Sequence, residues 1–310
     1  MNIVPFGSEH VEPAAALLEE RHRRQREAEP LLPADVDFGA EVEALWKTEG
    51  ASGAFAEDGY VLGVRQADAI WGSNMWVELA GHAVRAAEQV RDLYAAAAAG
   101  WVEAGRTRHY ALVPVSDTAL VNAWFRLGFG QQQALAVREV PAESDVVVPD
   151  GFSIRAPDPA DIDDLIDVDL ALPRHQAGSP VFSEHFRDSR EESRDEWLST
   201  FADTEEDILI GYREGRPVAC WSIVAADRSR HFHGVSLPAN ACYLAFAVTL
   251  PEARGSGIGV ALTEACLARA RELGYESIVT DWRVTNLLAS RFWPRRGFRP
   301  TFLRLYRSIP

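Results

Sequence analysis

A glycine-rich segment, Arg254-Gly-Ser-Gly-Ile-Gly259, is the part of the sequence whose residue types point most directly to chemistry. It follows an apolar run over 241–250 that is typical of a buried strand, and it opens a segment to about 273 that is typical of a helix. Glycines let backbone N–H groups approach a phosphate closely, and a helix N-terminus adds partial positive charge. The segment therefore predicts an anion-binding loop, with a tight strand-to-helix turn that holds no ligand as the alternative.

The glycines also align loosely with the dinucleotide-binding fingerprint, which carries an acidic residue about 20 positions later, here Glu276. That fingerprint follows the first strand of its domain. In this chain, predicted strands over 207–213 and 217–226 already precede the loop. The position of the loop in the chain argues against a dinucleotide site.

The loop and a second motif downstream resemble the GCN5-related N-acetyltransferase (GNAT) superfamily. The pyrophosphate-binding motif R/Q-x-x-G-x-G/A is matched by Arg254, Gly257 and Gly259. The downstream signature N-x-x-A-x-x-L-Y-x-x-x-G-F is matched, with Phe in place of Leu, by Asn286, Ala289, Phe292, Gly297 and Phe298. Two linked motifs at the separation found in the family are more specific than either alone.

The resemblance implies a site for acetyl-CoA or another acyl-CoA and no metal. A strand N–H would polarise the thioester carbonyl, and an amine would attack the thioester directly. The residues that would bind the cofactor are Ala247, Val248, Thr249, Arg254, Gly255, Ser256, Gly257, Ile258, Gly259, Val260 and Asn286.

The tyrosine that commonly protonates the leaving thiolate in this family falls on Trp293. An indole N–H donates a hydrogen bond but does not release its proton at neutral pH. Trp293 is therefore either a hydrogen-bond donor to the thiolate or a packing residue. Water or Tyr306 would then supply the proton, unless the domain binds CoA without turnover.

A general base is also needed, because an ammonium substrate must lose a proton before it attacks. The run 241–250 contains no carboxylate. The nearest candidates are Tyr243 on that strand and Asp281 on the next strand. His231 or His233, in the segment that precedes the run 241–250, are the other candidates. Each of these also fits a purely structural role.

The first half of the chain is a weak copy of the second. A shift of 169 residues brings Trp124, Gly128 and Phe129 onto the corresponding residues of the downstream motif. The same shift places Glu88 where the second half has Gly257, and a carboxylate there would repel a pyrophosphate. The fold class predicted is α/β (α+β), with two tandem GNAT-like domains, each a mixed central sheet flanked by helices. The first predicted domain spans 1–147 and lacks the glycine-rich loop. The second spans 148–310 and is expected to bind acyl-CoA.

Composition narrows the function further. The net charge of −15 argues against nucleic-acid binding, and no run of 18 apolar residues predicts a membrane span. We expect a cytoplasmic protein, monomeric or homodimeric. Residues 1–147 hold 12 Lys and Arg against 22 Asp and Glu, which favours a cationic amine acceptor bound between the repeats.

The function predicted is therefore transfer of acetyl from acetyl-CoA to a primary amine, on a small molecule or a polypeptide, by the C-terminal domain. The alternative is a non-catalytic sensor or scaffold protein that binds acyl-CoA.

Overall fold

The computed structural model describes residues 2–183, 189–203 and 205–310. Its strands are β1 Val4–Pro5, β2 Ser52–Ala56, β3 Gly59–Gly63, β4 Asn74–Val77, β5 His82–Val84, β6 Arg108–Pro114, β7 Gly130–Glu139, β8 Phe152–Arg155, β9 Asp207–Arg213, β10 Arg216–Ala225, β11 Ala241–Thr249, β12 Ser277–Arg283 and β13 Arg299–Ser308. Its helices are α1 Val11–Ala28, α2 Phe38–Lys47, α3 Gln89–Glu103, α4 Thr118–Phe125, α5 Ile162–Ala177, α6 Arg190–Ala202, α7 Ile258–Glu272 and α8 Leu287–Arg295. The chain forms two compact units.

The first unit comprises residues 1–135, 233–238 and 300–310. Strands β1, β2, β3 and β5 form an antiparallel sheet in that order, and α1 and α3 pack against it. The buried Arg21 of α1 donates to the Leu79 carbonyl at 2.6 Å and also to the His82 carbonyl. These bonds fix α1 to the chain segment that links β4 and β5.

The chain's last strand, β13, belongs to this first unit. It pairs antiparallel with β6 from Phe302 opposite Pro114 to Ser308 opposite Arg108, while β4 pairs parallel with the other edge of β6. The division by contacts therefore differs from the predicted boundary at residue 147, which assigned the closing strand to the second domain. The sequence predicts a closing strand over 298–309 but not its partner, because strand pairing is a long-range property.

The second unit comprises residues 136–232 and 239–299. Strands β8, β9, β10 and β11 are antiparallel neighbours, and β12 joins β11 in parallel. Leu165, Ile166 and Val168 of α5 pack with Ile210 and Tyr212 of β9 on one face of this sheet. Because alternate residues of a strand face opposite ways, Gly211 faces the other side, where α7 lies. A Cβ on Gly211 would come within 2.8 Å of the Ile258 side chain, so α7 packs directly on the strand backbone.

Most elements predicted from the pattern of the second half are confirmed, with ends that differ by a few residues. The exception is the predicted helix over 157–172, which begins at Ile162 after a short 3₁₀ turn and continues through Pro173 to Ala177. The extra turn has a consequence for function, because it brings His175 to the cleft described next.

Candidate active site

The parallel strands β11 and β12 separate after a short paired stretch, and this separation creates a cleft. They pair only from Ala241 opposite Ser277 to Tyr243 opposite Val279. At the point of separation, the Thr280 hydroxyl donates to the Leu244 carbonyl at 3.0 Å. A register shift between Ser222 and Ile223 of β10 leaves Ala245 as a bulge in β11 at the same level. Beyond this level, the edge of β11 that faces away from β10 has no strand partner in the described chain.

The backbone orientation along that open edge follows from one bond. The Leu250 N–H donates to the Val218 carbonyl, which precedes the Ala219–Thr249 pair, at 2.8 Å. Backbone groups of alternate residues point to opposite edges of a strand. The N–H and C=O groups of Ala247 and Thr249 therefore point away from β10, into the cleft.

The cleft has a volume of about 410 Å³ and is mainly apolar. The second unit forms it from the end of α5, Trp221 of β10, the β11 strand with the loop and the helix start after it, and one side of α8. Its lining residues are Ala171, Leu172, His175, Trp221, Ala247, Val248, Thr249, Ala253, Arg254, Gly255, Gly257, Gly259, Val260, Asn286, Leu288, Ala289, Phe292 and Trp293. We call it the main cleft.

The glycine loop lines one end of the main cleft. Gly255 and Gly257 have φ of +77° and +94°, a conformation that side chains other than glycine rarely adopt, and Gly257 is the N-cap of α7. The N–H groups of Gly255, Gly257 and Gly259 donate to no acceptor within the described residues. This loop therefore offers unpaired donors beside a helix N-terminus, which is an arrangement suited to a phosphate.

Two residues of the predicted cofactor set do not line the main cleft. The Ser256 hydroxyl donates to the Ala253 carbonyl at 2.7 Å and stabilises the turn before α7. Ile258 is buried beneath the loop against Gly211. Their backbone N–H groups are also used within the loop, since that of Ser256 donates to the Ala253 carbonyl and that of Ile258 donates to the Ser256 hydroxyl, each at 3.4 Å.

Asn286 and His175 meet at the opposite wall of the main cleft. The Asn286 Oδ1 caps α8 by accepting from the N–H groups of Leu288 at 3.1 Å and Ala289 at 3.3 Å. His175 Nε2 lies 3.3 Å from the same oxygen. The Asn286 amide nitrogen has no acceptor in the described chain and remains available to a ligand. Sequence reasoning missed His175 and Trp221, since neither belongs to a motif.

Trp293 lines the main cleft as a largely buried ring. It is 6% exposed, and its ring meets Phe298 edge to face at a centroid distance of 5.3 Å. Its indole nitrogen has no hydrogen-bond partner among the described residues. The packing role and the donor role predicted for Trp293 are thus compatible with one geometry.

The predicted acid and base candidates are not brought together in the main cleft. The Tyr243 hydroxyl donates to Asp281 Oδ1 at 2.6 Å, and neither residue lines the cleft. Burial and the adjacent Asp281 carboxylate raise the pKa of Tyr243 well above its ordinary value. Tyr306 lies on β13, where its ring packs against Tyr110 of the first unit. His231 and His233 lie in the segment after β10, outside the cleft lining.

A family comparison agrees with this geometry. Residues 174–298 match the model of the acetyltransferase (GNAT) family, a range that contains the glycine loop, Asn286 and Trp293. A GCN5-related N-acetyltransferase from Sphaerobacter thermophilus superposes on 99% of this chain and 95% of its own, with a TM-score of 0.62 and 15% identity. The chain therefore has the fold of this N-acetyltransferase, and its second half contains the range that matches the GNAT family. The mixed α/β architecture predicted from the sequence is confirmed.

Other solved structures resemble the GNAT-fold chain more weakly. A glucosamine N-acetyltransferase region of a fungal β-N-acetylglucosaminidase superposes on 98% of this chain and 38% of its own, with a TM-score of 0.56 and 13% identity. A tandem GNAT protein from the clavulanic acid biosynthesis pathway covers 99% and 98% of the two chains at 14% identity, with a TM-score of 0.48. No curated protein matches the chain in sequence.

The first half of the chain uses its counterpart of the loop differently. Arg85 forms ion pairs with Asp58 at 2.8 Å and Glu20 at 3.3 Å. Glu88, the N-cap of α3, pairs with Arg91 and with Arg126. The charged side chains of this segment are therefore paired with other side chains of the protein, whereas the second half has a glycine loop with unpaired N–H groups.

A polar groove of about 750 Å³ adjoins the main cleft and shares Ala171, His175 and Arg254 with it. Four guanidinium groups and four carboxylates line this flanking groove: Arg174, Arg213, Arg216 and Arg254, with Asp164, Asp167, Glu214 and Glu252. No helix of the described chain is long and apolar enough to cross a membrane. No group of three or more His, Cys, Asp or Glu side chains within the described ranges is arranged to hold a metal ion.

Proposed function

We propose that the main cleft binds acetyl-CoA and that the second half of the chain transfers the acetyl group to an amine. The observation that carries this proposal is the set of unpaired N–H groups of Gly255, Gly257 and Gly259 at the end of an apolar cleft. A diphosphate is the part of CoA that these donors would hold. The apolar walls would take the pantetheine arm.

The open edge of β11 supports this placement. The N–H and C=O groups of Ala247 and the N–H of Thr249 would pair with the amides of the pantetheine arm in the manner of an added strand. The arginines of the flanking groove, Arg174 and Arg213 among them, lie beside the glycine loop and would meet the nucleotide phosphates. Arg254 has a separate task, because its Nε donates to the Thr249 carbonyl at 3.1 Å and so ties the loop to the strand end.

The transfer needs one bond to form and one to break. The amine nitrogen attacks the thioester carbon, the C–S bond breaks, the nitrogen loses a proton and the sulfur gains one. A backbone N–H near the β11 bulge would polarise the carbonyl oxygen. Apart from Arg254, His175 is the ionisable side chain that lines the main cleft, and imidazole accepts and donates protons near neutral pH. We therefore assign proton transfer to His175 and hydrogen bonding of the thiolate to Trp293.

A second candidate function is binding of acyl-CoA without turnover. It is favoured by the mutual bond of Tyr243 and Asp281, which removes both from the cleft lining, and by the indole at the family's tyrosine position. The two functions differ in one measurement. Release of free thiol from acetyl-CoA in a broad screen of primary amines supports transfer, whereas CoA binding without thiol release supports the second candidate.

His175 gives the transfer proposal a specific test. We expect His175→Gln to lower kcat at least tenfold and to leave CoA affinity within about threefold. His10→Gln, which changes a histidine in the first unit, is the matched control. Equal loss of kcat in both variants, or an unchanged kcat in His175→Gln, would refute the assignment.

A further inference from the structure

A second, smaller cavity lies on the α5 face of the second unit and has a strongly acidic lining. Its volume is about 110 Å³. Three carboxylates and two aromatic rings line it, and no basic side chain does; the lining residues are Asp169, Glu196, Trp197, Thr200, Glu206, Ile208, Cys220, Ser222 and Phe246. We call it the acid cavity.

A buried hydroxyl at the floor of the acid cavity lacks a partner. Ser222 lies in the middle of β10, between Ile208 of β9 and Phe246 of β11, and these neighbours also line the cavity. Its side chain is 2% exposed, and its Oγ makes no hydrogen bond. A buried polar group without a partner costs about 1–3 kcal/mol, so this hydroxyl points to a ligand that would satisfy it.

The charges of the acid cavity identify the class of ligand. The Asp169 carboxylate is buried and accepts from the Ser193 hydroxyl at 2.5 Å. The Glu206 carboxylate has no ion-pair or hydrogen-bond partner in the described chain. The acids do not converge into a metal-binding group in that part of the chain. Carboxylates attract an ammonium group by charge, and the faces of the Trp197 and Phe246 rings attract it by cation–π interaction. Carboxylates that do not converge on one point, together with these rings, therefore suit an organic ammonium group.

The acid cavity adjoins the proposed transfer site. Phe246 of the cavity and Val248 of the main cleft are two residues apart on the same face of β11, a spacing of about 7 Å. Asp169 and Leu172 of α5 line the two spaces less than one helical turn apart. A volume of this size fits one ammonium head rather than a whole acceptor.

We propose that the acid cavity binds the second, non-reacting ammonium of a diamine acceptor whose other nitrogen enters the main cleft. This inference rests on the proposed transfer function for the identity of the reacting amine. The spacing fits two nitrogens joined by four or five methylene groups, which lie roughly 6–8 Å apart when extended. A monoamine of the same length would leave the acid cavity empty.

The experiment uses the full chain and three probes: 1,4-diaminobutane, 1-aminobutane and 1,4-butanediol. In calorimetry we expect the diamine to bind about tenfold more tightly than the monoamine and the diol to give no heat of binding. Glu206→Gln should reduce the difference between diamine and monoamine about tenfold, whereas Glu205→Gln, which removes the same charge beside the cavity, should preserve it. Ser222→Ala should weaken diamine binding about threefold without lowering Tm, because its hydroxyl has no partner in the protein.

Equal affinity for diamine and monoamine, or equal effects of Glu206→Gln and Glu205→Gln, would overturn the inference. Binding of Mg²⁺ that depends on Glu206 and competes with the diamine would also overturn it in favour of a metal site. A separate titration with CoA distinguishes the two proposals. Failure to bind CoA while the diamine still binds refutes the transfer function alone, whereas CoA binding and acetylation of monoamines without diamine preference refute the acid cavity alone.

Discussion

Replacement of Gly257 tests the glycine loop most directly, and two variants of matched size separate charge from conformation. Gly257 has φ of +94°, and a Cβ there would lie 3.3 Å from the Pro149 side chain. Any side chain at this position therefore costs about 1–2 kcal/mol in backbone strain. Glu and Gln share that strain and nearly the same volume. Their difference in CoA affinity isolates the effect of the negative charge.

The size of this difference follows from Coulomb's law. A carboxylate about 4 Å from a diphosphate oxygen costs roughly 4 kcal/mol at an effective dielectric constant near 20. The glycine loop borders solvent, so screening and rotation of the side chain reduce that value. We expect Gly257→Glu to bind CoA at least tenfold more weakly than Gly257→Gln, a difference of about 1.4 kcal/mol or more.

Calorimetry with CoA measures the affinities, and thermal unfolding verifies that both variants fold. Gly255→Ala serves as a second control, because Gly255 shares the positive φ of +77° but a Cβ there meets no atom within 4 Å. We also expect one CoA site per chain. Equal affinities for Gly257→Glu and Gly257→Gln, or two equivalent sites in the unmodified protein, would refute the assignment of the diphosphate to this loop.

Four further outcomes are expected. Trp293→Phe should lower the free energy of unfolding by about 1–3 kcal/mol, because the buried ring packs on Phe298. If the indole N–H also holds the thiolate, the same variant should lower kcat tenfold or more while the Kd for acetyl-CoA stays constant. An unchanged kcat rules out that role. Arg85→Ala should leave the CoA affinity unchanged, because Arg85 forms its ion pairs with Glu20 and Asp58. Arg254→Ala should weaken CoA binding, because Arg254 ties the glycine loop to the end of β11. Calorimetry that shows a larger loss of affinity for Arg85→Ala than for Arg254→Ala would contradict these roles. Tyr243→Phe should cost about 1–2 kcal/mol in urea unfolding through loss of the bond to Asp281 and leave kcat intact, and a large fall in kcat would restore Tyr243 as a catalytic candidate. Burial and the nearby Arg21 lower the pKa of His82 to about 3, so His82 stays neutral in the folded protein, whereas in the unfolded chain it is protonated below about pH 6.5. The free energy of unfolding should therefore fall below pH 6.5 by up to about 1.4 kcal/mol per pH unit. An NMR titration that shows a protonated His82 imidazole at pH 5 in the folded state would disprove this prediction.

The local elements around the site were predictable because their signals are local. Glycine spacing marked the loop, the Asn286 cap marked the start of α8, and Gly274 and Gly297, with φ of +84° and +81°, marked the ends of α7 and α8. The family motif then predicted that these elements surround a cofactor. The motif did not predict the wall of the main cleft that the end of α5 forms with His175.

The remaining features depend on how distant segments meet. The run 241–250 predicted a strand buried on both faces, yet Ala245 is exposed, because β12 diverges from β11 beyond Tyr243. Next to this divergence, Tyr243 and Asp281 are bonded to each other, and neither residue lines the main cleft. His175 enters the cleft because α5 continues past Pro173, where a proline pattern suggests an earlier end.

The pairing of β13 with β6 means that the two sequence repeats are not separable modules. A chain that lacks residues 1–147 keeps the whole family-matched range but loses the strand that covers Phe302, Leu303 and Leu305, and it should aggregate through that free edge. A single protease cut between residues 141 and 150 should have the opposite effect, since the β6–β13 ladder would hold the two fragments together after the peptide bond is gone. Co-purification of the fragments under native conditions, and their separation in urea, would demonstrate that strand pairing as well as the covalent chain holds the two halves together.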